Sequence, residues 1–340
     1  MRGGGVSRMS RLAARVASVV SGPIIICLGM IGAFSLLSEN FFSLSNAVNI
    51  IRQASVLALV AFGQTFVILL AGIDLSVGAV MGLTSCVTAT LMLKAHLAPV
   101  LAAAVGVGVA SLCGLVNGLV HSFLGLNPFV PTFGMWGMAL GAALIITEER
   151  VLTGFPPTLR VLHDGEFLGL PAPLLLVAAV LLVLHTFLKA TPQGIATYAI
   201  GGNEGAAHLS GIRVRLHKSL IYAFSGFMAG LAGVLFLARS NAAQAIDTIG
   251  YEFDSIAAVV VGGTSLMGGK GGVAQTLVGV TLIAMLRNGL NMVGVNLYLQ
   301  LVFIGVVLIL AYVTENQNLF EFLRDLKRRL FGAPDSAEEA

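Results

Sequence analysis

Residues 201–212 read GGNEGAAHLSGI, a short polar segment that lies between two long apolar stretches. The segment has the signals of a small capped helix. Asn203 offers a side-chain oxygen to the first turn, Glu204 places a carboxylate where the helix dipole favours it, and Gly211 suits a left-handed C-terminus. A helix of about two turns is only marginally stable in water by itself. We therefore predict a docking element that lies outside the bilayer and packs against a partner.

The rest of the chain has the composition of an integral membrane protein. Of its 340 residues, 57% are hydrophobic and only 10% are charged, and the mean hydropathy is +0.94. Soluble domains carry about 25% charged residues, so this chain cannot cover a soluble surface. The 41 glycines favour close approach of helices within lipid. The three cysteines lie inside apolar runs and are interpreted as small packing residues.

Charge-poor runs predict an all-α, polytopic transmembrane bundle of about ten membrane helices, with the docking helix outside the bilayer. The first run is too long for the apolar region of a cleaved signal peptide and is interpreted as a retained span. The eighth and ninth runs are short against the ~20 residues that a spanning helix needs, so we expect broken or partly re-entrant segments. The runs are 16–37, 53–73, 75–93, 97–120, 128–147, 171–188, 219–238, 255–269, 271–286 and 294–314.

The positions of Lys and Arg predict the orientation of these spans. Arginines precede the first run, so the N-terminus is expected in the cytoplasm, and ten crossings return the basic C-terminus to the same side. The loop 149–170 then becomes the largest external loop. The predicted divisions are a cytoplasmic N-terminal segment (1–15), a transmembrane domain (16–314) whose polar loop at about 190–217 carries the docking helix, and a cytoplasmic tail (315–340). None of the segments predicted to lie outside the membrane is large enough to bind and hydrolyse a nucleotide.

Two glycine-flanked interruptions, 72–78 and 263–270, share a G-x-[DS]-L pattern. Matching breaks in the two halves of a transporter point to a substrate pathway at a repeat interface, whereas two ordinary tight turns are the alternative. Asp74 is interpreted first as a cap for the following helix, and a pathway role stays open for it. The pathway candidates are Gly72, Asp74, Ser76, Gly263, Thr264, Ser265, Asn288 and Asn291.

Amides and hydroxyls dominate the polar residues within the spans. Such a lining suits an uncharged polyol or sugar, which needs hydrogen bonds but no counter-charge. The same amides also join helices to one another, and the sequence does not separate these two roles. Three pairs of glycines have GxxxG spacing and are interpreted as intramolecular packing, with a subunit interface as the alternative. These pairs are Gly114/Gly118, Gly137/Gly141 and Gly226/Gly230.

The sequence gives little support to the hypothesis that this chain is an enzyme. The run GGTSLMGGKGG departs from the phosphate-binding pattern G-x-x-x-x-G-K-[ST]. An intramembrane hydrolase built from Ser265 with His121 or His185 is disfavoured, because isolated Ser and His residues are common in packing. We expect no catalytic residue, no metal and no cofactor in this chain.

Five segments, in this order and spacing, resemble the membrane permease of ribose-type ABC importers over nearly the whole chain. They are LLAGIDLSVGAVMGL (69–83), AIGGNEGAAHLSGI (199–212), YAFSGFMAGLAGVLF (222–236), GYEFDSIAAVVVGGTSLMGGKGG (250–272) and LRNGLNMVGV (286–295). The chain departs from the family pattern at Phe253, where Leu is usual, and at Gly205, where a stronger helix former is usual. The loop 149–170 is not readily matched.

The resemblance implies a sugar permease without catalytic residues, in the inner (plasma) membrane with both termini cytoplasmic. It implies a homodimer, a separate cytoplasmic ABC ATPase, and a periplasmic or surface-tethered solute-binding protein, with membrane lipid around it and no nucleic acid. It also implies that the segment 203–211 is a coupling helix seated on the ATPase. The coupling candidates are Gly202, Asn203, Glu204, Ala206, Ala207, Ser210 and Gly211.

The rival hypothesis is an ion-coupled secondary transporter of a small polar solute. Such a transporter needs buried ionisable groups as ion sites. The candidates for these sites are Asp74, Asp254 and His185.

Overall fold

The computed structural model describes residues 26–315, and within that range the chain is a bundle of α-helices. The predicted N-terminal segment, the start of the first span and the tail beyond residue 315 lie outside the described residues. The helices are α1 (Ile26–Leu37), α2 (Leu44–Leu69), α3 (Val77–Lys94), α4 (Pro99–Leu124), α5 (Phe129–Thr147), α6 (Pro157–Asp164), α7 (Ala172–Ala190), α8 (Pro192–Gly202), α9 (Glu204–Leu209), α10 (Val214–Ser240), α11 (Tyr251–Val261), α12 (Val273–Met292) and α13 (Leu297–Glu315).

Four two-residue strands form two small antiparallel sheets. Strand β1 (Leu152–Thr153) pairs with β4 (Ala242–Ala243). Strand β2 (Glu166–Phe167) pairs with β3 (Leu170–Pro171) in a hairpin between α6 and α7. The predicted external loop 149–170 is therefore an ordered platform of one helix and short strands.

Seven helices of the described chain are long and apolar enough to cross a membrane: α2, α3, α4, α5, α7, α10 and α12. The predicted all-α, polytopic bundle is confirmed. The other three predicted runs correspond to α1, α11 and α13. Within the described residues the first and last of these include the apolar stretches Ile26–Leu37 and Leu297–Val313, and α11 has 11 residues.

The sequence led us to expect a short ninth span, and that expectation is wrong. Helix α12 has 20 residues and continues past Arg287 to Met292. It continues because its polar groups are satisfied by neighbouring helices: Arg287 pairs with Asp254 of α11, and Asn288 pairs with Asn46 of α2. A paired polar residue within a membrane helix does not need to end that helix.

Helix α10 lies at the centre of the bundle and packs against α4, α2 and α3. Two of the GxxxG pairs form its contact with α4, because a Cβ added at any of these glycines would meet the backbone or the side chains of the other helix. The prediction of intramolecular packing is confirmed for Gly114/Gly118 and Gly226/Gly230. By contrast, a Cβ added at Gly137 or Gly141 of α5 would have no neighbour within 4 Å.

The helices run between two ends of the bundle. At one end, α3 and α5 finish together, where Lys94 Nζ lies 3.0 Å from Glu148 Oε1. At the other end, α7 finishes at Ala190 and α10 starts at Val214, with α8 and α9 between them. We call these the far end and the α9 end.

Candidate functional site

Helix α9 is the small capped helix that the sequence predicts. It spans Glu204–Leu209, and the Asn203 side chain accepts a hydrogen bond from the Ala206 backbone N–H at 2.9 Å. Gly211 has a φ of +85°, which places it in the left-handed region that glycine tolerates best. Both predicted caps are confirmed.

The surface of α9 points away from the bundle except at one residue. Ala207 is only 3% exposed and packs into the core. The Glu204 carboxylate is held by Lys218 Nζ of α10 at 2.6 Å. The remaining coupling candidates are exposed, and Leu209 next to them is 89% exposed. The bundle therefore anchors α9 at Ala207 and Glu204 and leaves the rest of the predicted contact surface free.

Helix α8 precedes α9 and was missed by the sequence analysis. The Thr191 hydroxyl accepts a hydrogen bond from the Gly194 N–H at 3.1 Å, and Pro192 occupies the first helical position. Both are recognised helix-start signals, so the run TPQG was enough to predict this helix. The Tyr198 hydroxyl donates to the Gly271 carbonyl at 2.8 Å. Burial raises the pKa of Tyr198, which keeps the hydroxyl a donor.

The interruption 263–270 lies directly against the end of α8. The Gly269 N–H donates to the Leu69 carbonyl of α2 at 2.9 Å. A Cβ added at Gly201 would overlap that same carbonyl and approach the Gly269 nitrogen. Three chain segments thus approach one another closely enough for their backbones to touch: the end of α2, the end of α8 and the loop 262–272. We call this contact the glycine junction.

Positive φ angles close the loop 262–272 on itself. The left-handed region or its margin is occupied by Gly263, Gly268, Gly269, Gly271 and Gly272. The Thr264 hydroxyl is buried and accepts from the Gly272 N–H at 3.2 Å. The Ser265 hydroxyl accepts from the Met267 N–H at 3.2 Å, and the Ser265 N–H donates to the Lys270 carbonyl. The Thr264 and Ser265 hydroxyls therefore both accept hydrogen bonds from within the loop.

The interruption 72–78 is buried among α2, α3, α4 and α10. Asp74 is 1% exposed. One carboxylate oxygen accepts from the Ser76 N–H at 3.0 Å and the Ser76 hydroxyl at 2.6 Å, and the other accepts from the Ser225 hydroxyl of α10 at 3.0 Å. The Asn117 amide of α4 donates to the Ser76 hydroxyl at 2.9 Å. We call this cluster the Asp74 network.

The predicted helix cap at this position is wrong in its detail. Ser76 occupies the N-cap position of α3 but makes no side-chain cap bond. Asp74 instead bonds the backbone two residues on, which is the pattern of an Asx turn. A second feature of the loop is Gly72, where an added Cβ would strike the Tyr222 hydroxyl.

The last two pathway candidates lie toward the far end. The Asn288 and Asn46 side chains exchange two hydrogen bonds of 3.0 Å each. Asn291 accepts from the Gln300 amide at 2.7 Å. These amides join α12 to α2 and α13, as the alternative interpretation of the sequence held. The eight pathway candidates consequently fall in three separate places rather than one.

Of the two carboxylates proposed for the ion-coupled alternative, Asp74 belongs to the Asp74 network. Asp254 forms an ion pair with Arg287, whose Nη2 lies 2.7 Å from one carboxylate oxygen and whose Nε lies 2.6 Å from the other. His185 lies on the exposed side of α7. The Asp254–Arg287 pair was not predicted, although opposite charges next to two consecutive charge-poor runs, just before 255–269 and just after 271–286, were a usable signal.

The comparisons with known proteins agree with this architecture. The family model described as the permease component of the branched-chain amino acid transport system matches residues 46–312. The ribose import permease protein of Haemophilus influenzae is 40% identical over 291 residues, covering 84% of this chain and 90% of the relative. That of Bacillus subtilis is 39% identical over 299 residues, covering 87% and 92%.

A third relative carries a different sugar in its name. The D-allose transport system permease protein of Escherichia coli is 39% identical over 278 residues, covering 82% of this chain and 85% of the relative. No solved structure shows a significant match to this chain.

Proposed function

The chain belongs to the family of permease components of branched-chain amino acid-type transport systems, and on that premise we propose that it carries a sugar or a related small polar solute. It is a transmembrane permease subunit of an ABC importer rather than an enzyme, and it is a multi-pass protein of the inner (plasma) membrane. Relatives named for ribose and allose import support the solute class. They give no support to the ion-coupled alternative.

The observation that carries the coupling role is the exposure of α9. A six-residue helix is too short to be stable alone, and here its two caps and its Ala207 and Glu204 contacts fix it while its outer surface stays bare. A rigid, exposed helix offers a separate ATPase a fixed surface to bind and to move. We assign Gly202, Asn203, Ala206, Ser210 and Gly211, together with Leu209, to the contact with the ATPase.

The glycine junction supports transmission of force from α9 into the bundle. Helix α8 connects to α9 through the single residue Asn203, and its end contacts the backbone of both α2 and the loop before α12. A displacement of α9 is therefore passed to α2 and α12 through backbone contacts, which yield less than side-chain contacts do. Rocking of packed helices in this way is one of the known routes to alternating access.

The proposed orientation places α9 and both termini in the cytoplasm. The far end, with its ordered platform of α6 and the short strands, then faces the solute-binding protein. This arrangement requires an even number of crossings. Ten crossings result if the predicted run 16–37 makes the first, if α11 and the non-helical chain before it together make the eighth, and if α13 makes the tenth.

A homodimer is proposed with α5 in the subunit interface. Two of the three GxxxG pairs are used inside the chain, whereas Gly137 and Gly141 have no neighbour near their Cβ positions. The exposed large residues Phe133 and Met138 flank them at 54% and 60% exposure. Small residues in a helix face let a second helix approach closely.

The role of the pathway candidates remains a proposal, and their exposure narrows the set that we expect to contact the solute. Gly263 and Asn291 are exposed and suit contact with a solute, while Ser265 is half-buried. The buried candidates Gly72, Asp74, Ser76, Thr264 and Asn288 shape the helices around the route instead.

Reconstitution into liposomes with the ATPase and the binding protein encoded beside this chain tests the function. We expect ATP-dependent sugar uptake that survives collapse of the proton and sodium gradients. Uptake that persists without ATP and stops when those gradients collapse would overturn the proposal. Glu204→Lys is the matched test of coupling, because it replaces the ion pair with Lys218 by a repulsion, and Glu39→Lys on the exposed α1–α2 connection is its control.

A further inference from the structure

The chain between β4 and α11 is non-helical and lies at membrane depth. The Thr248 hydroxyl donates to the Gly78 carbonyl of α3 at 2.8 Å, and a Cβ added at Gly82 would meet the Ala245 carbonyl. Gly82 and Gly78 lie about 18 and 24 Å along α3 from its Lys94 end, at ~1.5 Å per residue. The hydrocarbon core of a bilayer is about 30 Å thick. The segment 244–250 therefore lies well inside it.

This segment and the first turn of α11 have one bare side. Ile246 is 51% exposed, Ile249 is 40% exposed and Phe253 is 48% exposed, and Asp247 is exposed among them. Non-helical backbone does not face lipid, because its N–H and C=O groups have no partner there; it occurs at this depth only against protein or a water-filled cavity. The bare side is thus directed at water or at another subunit.

Asp247 distinguishes between these two surroundings. Asp254, seven residues further along the chain, is paired with Arg287, and the Asp74 carboxylate accepts hydrogen bonds within the Asp74 network. Within residues 26–315, no hydrogen bond or ion pair to the Asp247 carboxylate is formed. An unpaired carboxylate at membrane depth is costly unless water or a ligand solvates it. The same cost disfavours a dry subunit interface that leaves this carboxylate unpaired.

We propose that Ile246, Asp247, Ile249 and Phe253 line the solute path, and that Asp247 is a specificity-determining residue for a polyhydroxylated, uncharged solute. This inference rests on the proposed function and names the site at which that solute is recognised. A carboxylate accepts strong hydrogen bonds from hydroxyl groups. The Phe253 ring, in the first turn of α11, offers an apolar face to the C–H side of a sugar ring.

Thiol labelling tests the position of the path without reference to any solute. In a background with Cys27, Cys86 and Cys113 replaced by Ala, Ile249→Cys is compared with Leu112→Cys on α4, which is 61% exposed but helical. The probe is a charged, water-soluble methanethiosulfonate applied to the dimer in liposomes. We expect Ile249→Cys to react many times faster than Leu112→Cys. Equal rates, or cross-linking between two copies with no reaction with the probe, would overturn the proposal.

Uptake by Asp247 variants tests specificity. With saturating loaded binding protein, Asp247→Ala is expected to lower sugar uptake roughly tenfold, the effect of losing one charged hydrogen bond, and Asp247→Asn less, because its amide oxygen still accepts. The uptake ratio of the sugar to a deoxy analogue should fall toward unity in Asp247→Ala. Glu39→Ala, an exposed acid outside the path, is expected to match wild type.

The two experiments separate failure of the site from failure of the function. An unchanged sugar-to-deoxy ratio in Asp247→Ala, with wild-type uptake intact, overturns the specificity role alone. Absence of ATP-driven uptake in the wild-type assembly overturns the proposed function and removes the basis for a solute at this site.

Discussion

The two glycine-flanked interruptions look alike in sequence and differ in the folded chain. The interruption 72–78 is buried in the bundle, where Asp74 joins α3 and α10 through side-chain hydrogen bonds. The interruption 263–270 lies at the α9 end, where positive φ angles close it and backbone contacts bind it to α2 and α8. The same G-x-[DS]-L pattern thus marks where a helix breaks, but the neighbours decide what the break does.

The interruption 263–270 also contacts the end of α2 at Leu69, three residues before the other interruption begins, and this contact gives the largest expected effect. In Gly201→Ala the new Cβ would overlap the Leu69 carbonyl within the glycine junction. Overpacking against backbone costs about 3 kcal/mol, so we expect a clear loss of thermal stability and of ATP-driven uptake. Gly202→Ala is the control, since its Cβ meets nothing within 4 Å. Equal behaviour of the two variants would show that the junction is not rigid.

Removal of the polar side chain at the matching position should separate the two interruptions further. Asp74→Ala leaves the Ser76 and Ser225 hydroxyls without their buried acceptor, at a cost of about 2–3 kcal/mol. Ser265→Ala removes a half-buried bond within its own loop and should cost well under 1 kcal/mol. Thermal unfolding in detergent measures both, and similar losses would mean that the loops are equivalent after all.

The first glycine of each interruption provides a third contrast. In Gly72→Ala the Cβ would strike the buried Tyr222 hydroxyl, with an expected cost of about 1–2 kcal/mol. In Gly263→Ala the Cβ enters open space and only the φ of +98° is strained, with a cost of about 1 kcal/mol. We expect Gly72→Ala to unfold at the lower temperature. The reverse order would contradict the placement of the two loops.

The smallest expected effect is on the cap of α9. Asn203→Ala removes the acceptor for the Ala206 N–H, which costs about 1 kcal/mol of local helix stability. Because α9 is exposed, unfolding of the bundle should be unchanged, while the ATPase activity stimulated by this chain falls several-fold. Asn203→Asp retains the capping oxygen and should restore that activity. A global loss of stability in Asn203→Ala would place α9 in the core instead.

The sequence predicts local features of this chain well and contacts between distant segments poorly. The caps of α9 were predicted because the partners lie within the segment: Asn203 caps a neighbour three residues on. The glycine junction was missed because its members come from residues 69, 201 and 269. The shared pattern of the two interruptions suggested a common role, since nothing local shows that Ser225 reaches Asp74 or that Leu69 reaches Gly269.

The eighth run shows a different limit. A count of apolar residues predicted a short span, and α11 is short, but the reason lies before it. The segment 244–250 packs non-helically against α3 through Thr248 and Ala245. Apolar content cannot distinguish such a series of turns from a helix, so the exposed side with Asp247 was not found from the sequence.

The most direct test of the account is cross-linking from Leu209 of α9, which is 89% exposed. A photoreactive side chain at this position in the reconstituted assembly is expected to cross-link to the ATPase subunit, and Leu209→Cys to react with an impermeant thiol probe from the cytoplasmic side alone. Labelling from the outer side, or an assembly that transports sugar with no such cross-link, would contradict the claim that the ATPase binds α9 and moves the permease through it.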